Sequence, residues 1–177
     1  MSDLLKHIIR FIAVLGIQVF VLDRLPPLHR FVSPYVYHIL VLWLPFRMSR
    51  FSLSLLGFLF GMTLDAFHHT PGLHAAALTL VAYLRPGLIN LLMPKDAAEM
   101  GFAEPSARSM GTLPYFTYAM VLTLLHHTYM VLLEWLQFRD GLYFVMKVLA
   151  TSGISMVLVS IAEMVFSRKS NYRTNMA

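Results

Sequence analysis

Long apolar runs constrain the fold of this chain more than any other feature of its sequence. They lie at about residues 4–22, 31–46, 51–67, 73–93, 113–136 and 142–166. Because a helix needs about 20 apolar residues to cross a bilayer, the runs predict a single-domain, all-α membrane protein with six transmembrane helices. The runs are too long, and alternate too little, for the strands of a membrane barrel.

Two of these runs have unusual flanking residues. The second is short and carries Pro34 and Pro45 near its ends, so we expect its span to be tilted, distorted or partly re-entrant. The first begins with Lys6 and Arg10, as a secretory signal does, but it ends at Asp23 and lacks a small-residue cleavage site. We therefore expect it to be a retained first helix.

Composition excludes several classes of protein. Of the 177 residues, 58% are hydrophobic and 13% are charged, whereas soluble domains average about 45–50% and about 25%. One soluble core of this size could not bury so much apolar surface, and disordered chains and coiled coils carry more charge. The net charge of +5 is assigned to loop cations beside anionic lipid and not to nucleic-acid binding. The absence of cysteine excludes disulfides and thiolate metal sites.

The distribution of Lys and Arg predicts the orientation. Most of these cations fall on the inner side if both termini are cytoplasmic, which is the arrangement that the positive-inside rule favours. The connection at about residues 94–112 is polar and interrupted by Pro and Gly, so it predicts a surface loop. Residues 167–177 predict a polar cytoplasmic tail.

The third run places two glycines and a carboxylate on one helix face. Gly57, Gly61 and Asp65 are spaced four apart, and the glycines form a small-xxx-small groove that admits another backbone. A carboxylate within a span normally faces the bundle interior or a partner. Two interpretations of Asp65 stay open: an acidic site for a partner or substrate, and a helix-end anchor within the chain.

Histidines surround the turn that follows this run. Pro71 and Gly72 predict the turn, and His68, His69 and His74 lie next to it. Imidazole is a good zinc ligand, but adjacent residues rarely bind one ion together, and the chain has no HExxH or CxxC motif. These histidines are therefore interpreted as interfacial polar residues of the turn, and the sequence predicts no metal and no cofactor.

Further polar residues lie within the last two runs. Glu134 and Lys147 both fall toward the outer leaflet in the predicted orientation, so Lys147 is expected to pair with Glu134 or with Asp65. His126 and His127 lie near mid-depth in the fifth run. Nothing in their spacing requires a proton relay.

At the inner ends of the runs, Glu163 is placed to pair with Arg10 or Arg85, and snorkelling of these side chains to the headgroups is an equal alternative. The sequence contains no GxSxG, P-loop or GxGxxG motif and no paired carboxylates on a water-facing segment. We therefore expect a protein that is not an enzyme.

Two adjoining segments carry a family resemblance. They read LGFLFGMTLDAF at residues 56–67 and HTPGLHAAALTLVAYL at residues 69–84. This pattern of a GxxxGxxxD helix, a Pro-Gly turn and a small-residue helix resembles the rod shape-determining protein MreD family, in the form found in Bacteroidota-type Gram-negative bacteria. The length of the chain and its six apolar runs agree with the resemblance. His74 and the pair His126–His127 depart from the family pattern.

The resemblance implies a place in the bacterial inner membrane, in the machine that builds sidewall peptidoglycan in elongating cells. Members associate with MreC and connect through it to MreB, to the RodA glycosyltransferase and to its transpeptidase partner. The family is also similar to the substrate-binding S components of energy-coupling-factor transporters. That similarity implies a pocket between helices near the outer face, close to Asp65.

Two functions follow from the resemblance. The first is a non-catalytic scaffold that docks the membrane helix of MreC in a groove and modulates wall synthesis. The second is an S component or a small-molecule transporter. The scaffold is favoured because the first helix offers only Ala13-x-x-Gly16, which is one residue short of a small-xxx-small docking pair. The candidate partner-binding or helix-packing residues are Gly57, Gly61, Asp65, Pro71, Gly72 and His74.

Overall fold

The structure, a computed structural model, describes residues 3–26, 30–93, 104–134 and 140–166. Within these ranges the chain forms helices and no strand. The predicted tail and residues 94–103 of the predicted loop lie outside the described residues. The elements are α1 (Asp3–Phe20), a 3-10 helix (Leu22–Arg24), α2 (Ile39–Leu42), α3 (Arg50–His68), α4 (Leu73–Leu92), α5 (Ala107–Met110), α6 (Thr112–Glu134) and α7 (Gly141–Val165).

Five helices are long and apolar enough to cross a membrane. They are α1 with the turn that follows it, α3, α4, α6 and α7. Large apolar side chains face outward from them: Ile12, Phe51 and Met164 are 62%, 77% and 81% exposed. Such a surface is stable against hydrocarbon and would promote aggregation in water. The described part of the chain is therefore an all-helical bundle with the character of a membrane protein.

The second apolar run does not form the sixth spanning helix that was predicted, but its irregular conformation agrees with the distortion expected from Pro34 and Pro45. Within residues 30–46 the α-helical part is the single turn α2. One end of this segment lies at the start of α7, where the Tyr143 hydroxyl donates to the Arg30 carbonyl (3.1 Å). The other end lies at the end of α7, where the rings of Trp43 and Phe166 are 5.6 Å apart. Residues 30–46, the crossing segment, therefore run the length of the bundle in a largely irregular conformation.

Polar side chains from neighbouring helices replace the helical hydrogen bonds of the crossing segment. The buried Gln18 side chain accepts from the Val36 N–H (2.9 Å) and donates to the Pro34 carbonyl (3.2 Å). The Tyr118 hydroxyl donates to the Leu42 carbonyl (2.9 Å). Pro34 has no N–H of its own, so it cannot donate to a helical ladder. Irregular backbone is tolerated at membrane depth where protein surrounds it, and these contacts meet that condition.

Contacts between helix ends fix the directions of the helices. His68, at the end of α3, lies beside Asp23, just beyond α1, with 2.8 Å between Nε2 and Oδ2. The ends of α1 and α3 therefore meet, and the crossing segment returns the chain between them. α4 packs along α3, α6 packs on α4, and α7 packs on α6. We call the end of the bundle that holds the α3–α4 turn the turn end, and the opposite end, at the start of α6, the loop end.

Local signals set the bounds of α3 and the start of α4. The Ser49 side chain accepts from the Ser52 N–H (3.1 Å) and caps the start of α3. His69 ends α3 in the left-handed conformation, with φ 56°, and Gly72 opens α4 with φ 87°. Glycine adopts this conformation without steric cost, which explains the Pro-Gly turn at this place.

Candidate functional site

The α3–α4 turn is built around Asp65. Its carboxylate accepts from the backbone N–H groups of Gly72 (3.1 Å), His74 (2.9 Å) and Ala75 (3.0 Å). It also accepts from the Thr70 hydroxyl (3.1 Å) and lies 2.8 Å from His74 Nδ1. The first N–H groups of a helix have no helical partner, and a carboxylate also suits the positive end of the helix dipole. Asp65 therefore anchors the start of α4.

This geometry favours one of the two interpretations of Asp65. A carboxylate accepts about four hydrogen bonds, and donors of the same chain surround this one, which is 3% exposed. Little capacity remains for a partner or a substrate. Asp65 is thus a helix-end anchor, and His74, which it holds, belongs to the same internal contact. Pro71 lies at the exposed surface of the turn.

The Gly57–Gly61 groove is filled by α4 of the same chain. A Cβ atom at Gly57 would lie 2.8 Å from the Leu78 carbonyl oxygen. A Cβ atom at Gly61 would lie 2.6 Å from the carbonyl carbon of His74 and closer still to the backbone of Ala75. The two glycines therefore serve helix packing within the chain. The expectation that they form an open groove for a partner helix is corrected, because small-xxx-small spacing indicates close approach but does not say which helix approaches.

The turn histidines have separate surroundings. His68 Nδ1 lies 2.9 Å from the Leu64 carbonyl oxygen, and its Nε2 contacts Asp23. His74 lies against Asp65, and the rings of His68 and His74 stack at 4.8 Å. His69 is exposed. These contacts agree with the interpretation of this segment as a polar turn.

The predicted pairing of Lys147 is present at the turn end. Its Nζ atom lies 2.6 Å from Glu134 Oε2, between the start of α7 and the end of α6. Both side chains are partly exposed, at 17% and 27%. Glu134, and not Asp65, is therefore the carboxylate that Lys147 contacts.

The loop end has different polar pairs from those predicted. Glu163 accepts from the Tyr115 hydroxyl (2.8 Å) and from the Ala107 N–H (3.1 Å). Arg10 donates to Glu104, with 2.6 Å between Nη1 and Oε2. Glu163 thus ties α7 to the starts of α5 and α6, and Arg10 is satisfied by a loop carboxylate.

Arg85 supports the crossing segment. It is fully buried, and its Nε donates to the Tyr118 hydroxyl (2.9 Å). Its two terminal nitrogens donate to the carbonyls of Leu44 and Pro45. The alternative that Arg85 snorkels to the headgroups is therefore wrong. Its described partners are two backbone carbonyls and the Tyr118 hydroxyl, and not Glu163. The five donors of a guanidinium suit this use, because irregular backbone leaves several carbonyls to satisfy.

A group of buried histidines lies between the crossing segment and α6. His38, His126 and His127 are each 0% exposed. One potential metal-ligand atom from each residue lies within 4.8 Å of the other two. Among the described residues, this is the group of histidine and acidic side chains that is close enough together to hold a metal ion. His126 and His127 are among the residues singled out from the sequence, whereas His38 is not. The signal was present, because a histidine inside an apolar run resists lipid just as the other two do.

Tyrosines connect this group, the histidine trio, to the Asp65 anchor. The Tyr37 ring lies 5.4 Å from the His74 ring and 5.2 Å from the His126 ring. The Tyr35 ring lies 5.8 Å from the His127 ring. A continuous buried column of polar rings therefore extends from the turn end into the middle of the bundle.

One contact in this column has the composition of a catalytic dyad. His127 Nε2 lies 3.0 Å from Ser155 Oγ, within the reach that a general base needs to activate a hydroxyl. Both residues are buried within long helices, so their backbone N–H groups belong to helical ladders and are not free to stabilise an oxyanion. The contact is best described as a hydrogen bond that joins α6 to α7.

Comparison with known proteins adds no relative to this picture. No family model matches the chain, and no curated protein and no solved structure matches it significantly.

Proposed function

We propose that this chain is a non-catalytic membrane scaffold, similar to MreD, that acts in the cell-elongation complex of the bacterial inner membrane. In this proposal it docks the membrane helix of MreC and modulates peptidoglycan synthesis. The residues that carry the family resemblance build the α3–α4 hairpin, in which Gly57, Gly61 and Asp65 hold two helices together. This tightly packed hairpin supports the proposal, because a scaffold needs a rigid surface on which a partner helix can dock.

An open groove between α4 and α6 supports docking of a partner helix. It has a volume of about 580 Å³ and is lined almost entirely by apolar atoms. Gly87 lies in it, and a Cβ atom at this position would meet nothing within 4 Å. Packing of membrane helices depends on close approach at small residues, so Gly87 offers a partner helix what Gly57 and Gly61 offer to α4. The groove is lined by Leu84, Gly87, Leu88, Leu91, Val121, Leu122, Leu124, Leu125 and Thr128.

The proposed topology has six membrane crossings with both termini in the cytoplasm. Five crossings are helices, and the sixth is the crossing segment. The parallel directions of α1 and α3 support this count, because the chain must return between them. In this orientation the turn end lies toward the periplasm and the loop end toward the cytoplasm. A likeness to the S-component fold is part of the same proposal.

Co-purification tests the scaffold. The full chain, tagged and co-expressed with MreC of the same organism, is expected to retain MreC through detergent extraction. Gly87→Leu should reduce this capture because the side chain fills the groove. Gly153→Leu is the matched control, since Gly153 is also a helical glycine with nothing within 4 Å of its Cβ position, and it lies on α7. Failure of the unmodified chain to retain MreC would refute the scaffold, and equal capture by both variants would refute the groove.

The alternative function is a substrate-binding S component or a transporter. The buried polar column below the turn end favours it, because S components bind ligands near the outer face. Mass spectrometry of small molecules released from the denatured protein separates the two functions. The scaffold predicts no stoichiometric organic ligand, whereas an S component predicts one.

A further inference from the structure

The histidine trio combines side chains from two elements that are distant in sequence. His38 comes from the crossing segment, whereas His126 and His127 are neighbours on α6. All three are sealed from solvent. Burial of three imidazoles in one place inside an apolar bundle is costly unless their nitrogens have partners.

Among these nitrogens, His38 Nδ1 has no hydrogen-bond partner in the described residues. The opposite nitrogen of His38 lies 3.0 Å from the Thr123 hydroxyl, and Nε2 of His127 lies 3.0 Å from the Ser155 hydroxyl. When a hydroxyl accepts the Nε2 proton of an imidazole, the lone pair of that ring is on Nδ1. In this tautomer, the hydroxyls hold His38 and His127 as ligands through Nδ1, in the way that outer-shell partners orient metal-binding histidines.

The spacing of the α6 histidines fits two ligands of one ion. Their Nδ1 atoms are 3.3 Å apart. A tetrahedral ion with metal–nitrogen bonds of about 2.0–2.1 Å separates its ligand nitrogens by about 3.3 Å. Adjacent residues seldom bind one ion together, but here the two rings are turned by 83° to each other and bring the same nitrogen to one point. The ligand atoms of the trio all lie within 4.8 Å of one another, so the proposal requires the trio to contract when the ion binds.

We propose that His38, His126 and His127 bind one late transition-metal ion of the copper and zinc class. Neutral imidazole suits both metals, whereas magnesium and calcium require oxygen ligands. The trio supplies no anionic ligand, so a singly charged ion such as Cu⁺ costs less to bury than Zn²⁺ does. The bound ion joins the crossing segment to α6 and fixes irregular backbone in the middle of the bundle. This site is independent of the proposed docking groove.

Metal analysis of the purified protein tests the site. The full chain in detergent is loaded with Zn²⁺, or with Cu⁺ under a reductant, and then freed of loose metal. We expect about one ion per chain with at least one of the two probes. His38→Gln and His127→Gln are expected to lose it. His69→Asn is the matched control, because His69 is exposed and asparagine tolerates its left-handed backbone.

Two further measurements guard against variants that fail to fold. In the unmodified chain, the same ion should raise the thermal unfolding midpoint, and a chelator should reverse the increase. Thr123→Val keeps all three ligands and removes a hydroxyl, so it should weaken binding by about tenfold. The proposal is overturned if neither probe is retained and neither changes the unfolding midpoint. Retention by the trio variants at the level of the unmodified chain would overturn it as well.

Discussion

Removal of the Asp65 carboxylate should destabilise the bundle more than removal of any ordinary helix cap. Asp65→Ala leaves the N–H groups of Gly72, His74 and Ala75 without their acceptor. Each buried polar group that loses its partner costs about 1–3 kcal/mol. Because these costs are not additive and the start of α4 can relax, we expect a loss of about 3–6 kcal/mol in the free energy of unfolding.

Asp140 provides a matched control for this prediction. Its carboxylate caps α7 by accepting from the N–H groups of Leu142 (3.0 Å) and Tyr143 (3.2 Å). Unlike Asp65, it is exposed, so water replaces the carboxylate when it is removed. Asp140→Ala should therefore cost about 1 kcal/mol, as ordinary caps do. Asp65→Asn keeps one acceptor oxygen and should lie between the two alanine variants.

Unfolding in mixed micelles of a mild detergent and dodecyl sulfate measures these differences, with helicity as the readout. The refuting result is an Asp65→Ala variant that unfolds at the same dodecyl sulfate fraction as Asp140→Ala. That outcome would mean that the Asp65 contacts are open to water or are replaced at little cost. The number of donors around the carboxylate would then be no guide to its contribution.

Three other substitutions test separate contacts. Gly61→Ala should prevent folding because its Cβ would overlap backbone of α4, whereas Gly16→Ala, with nothing within 4 Å, should be neutral or slightly stabilising; yield of monodisperse protein compares them. Lys147→Glu should lower the unfolding midpoint and the added Glu134→Lys should restore it, and a double variant no better than the single one would contradict the pairing. Arg85→Met should cost at least about 2 kcal/mol through unsatisfied carbonyls, and Arg85→Lys should recover part of the loss in the same unfolding assay.

The lengths and bounds of the long helices could be predicted from the sequence. The third run, at about 51–67, became α3 (Arg50–His68), and the last, at about 142–166, became α7 (Gly141–Val165). These bounds depend on apolar length and on nearby caps and turns, which are local properties of the chain. The pairing of Lys147 with a carboxylate was predictable too, because both charges had to lie near one end of neighbouring helices.

For the crossing segment, Pro34 and Pro45 predicted distortion, but its actual conformation could not be predicted in the same way. Hydropathy records how apolar a segment is, and a buried irregular segment is as apolar as a helix. Its conformation depends on Gln18, Arg85 and Tyr118, which come from α1, α4 and α6. No local sequence pattern indicates that these three side chains contact the backbone of the crossing segment. The meeting of His38 with His126 and His127 was beyond prediction for the same reason, because these residues lie far apart in sequence.

The sequence also could not predict which helix packs against Gly57 and Gly61. Spacing of four places both glycines on one face and shows that something approaches closely. It does not distinguish a helix of the same chain from a helix of a partner. The structure assigns the approach to α4 at Ala75 and Leu78, which moves the search for a partner surface to the face that carries Gly87.

Polar residues inside the bundle share a structural role. A helix satisfies its own backbone, but the crossing segment does so only in part, around α2, and side chains from other helices pair with further carbonyl and N–H groups along it. Gln18 supplies such hydrogen bonds near the turn end, and Arg85 and Tyr118 supply them near the loop end. The histidine trio lies between these two supports, where His38 belongs to the crossing segment itself. An ion bound by the trio would be a third support of the crossing segment. We therefore expect removal of the ion to loosen the crossing segment while α3 and α4 remain packed.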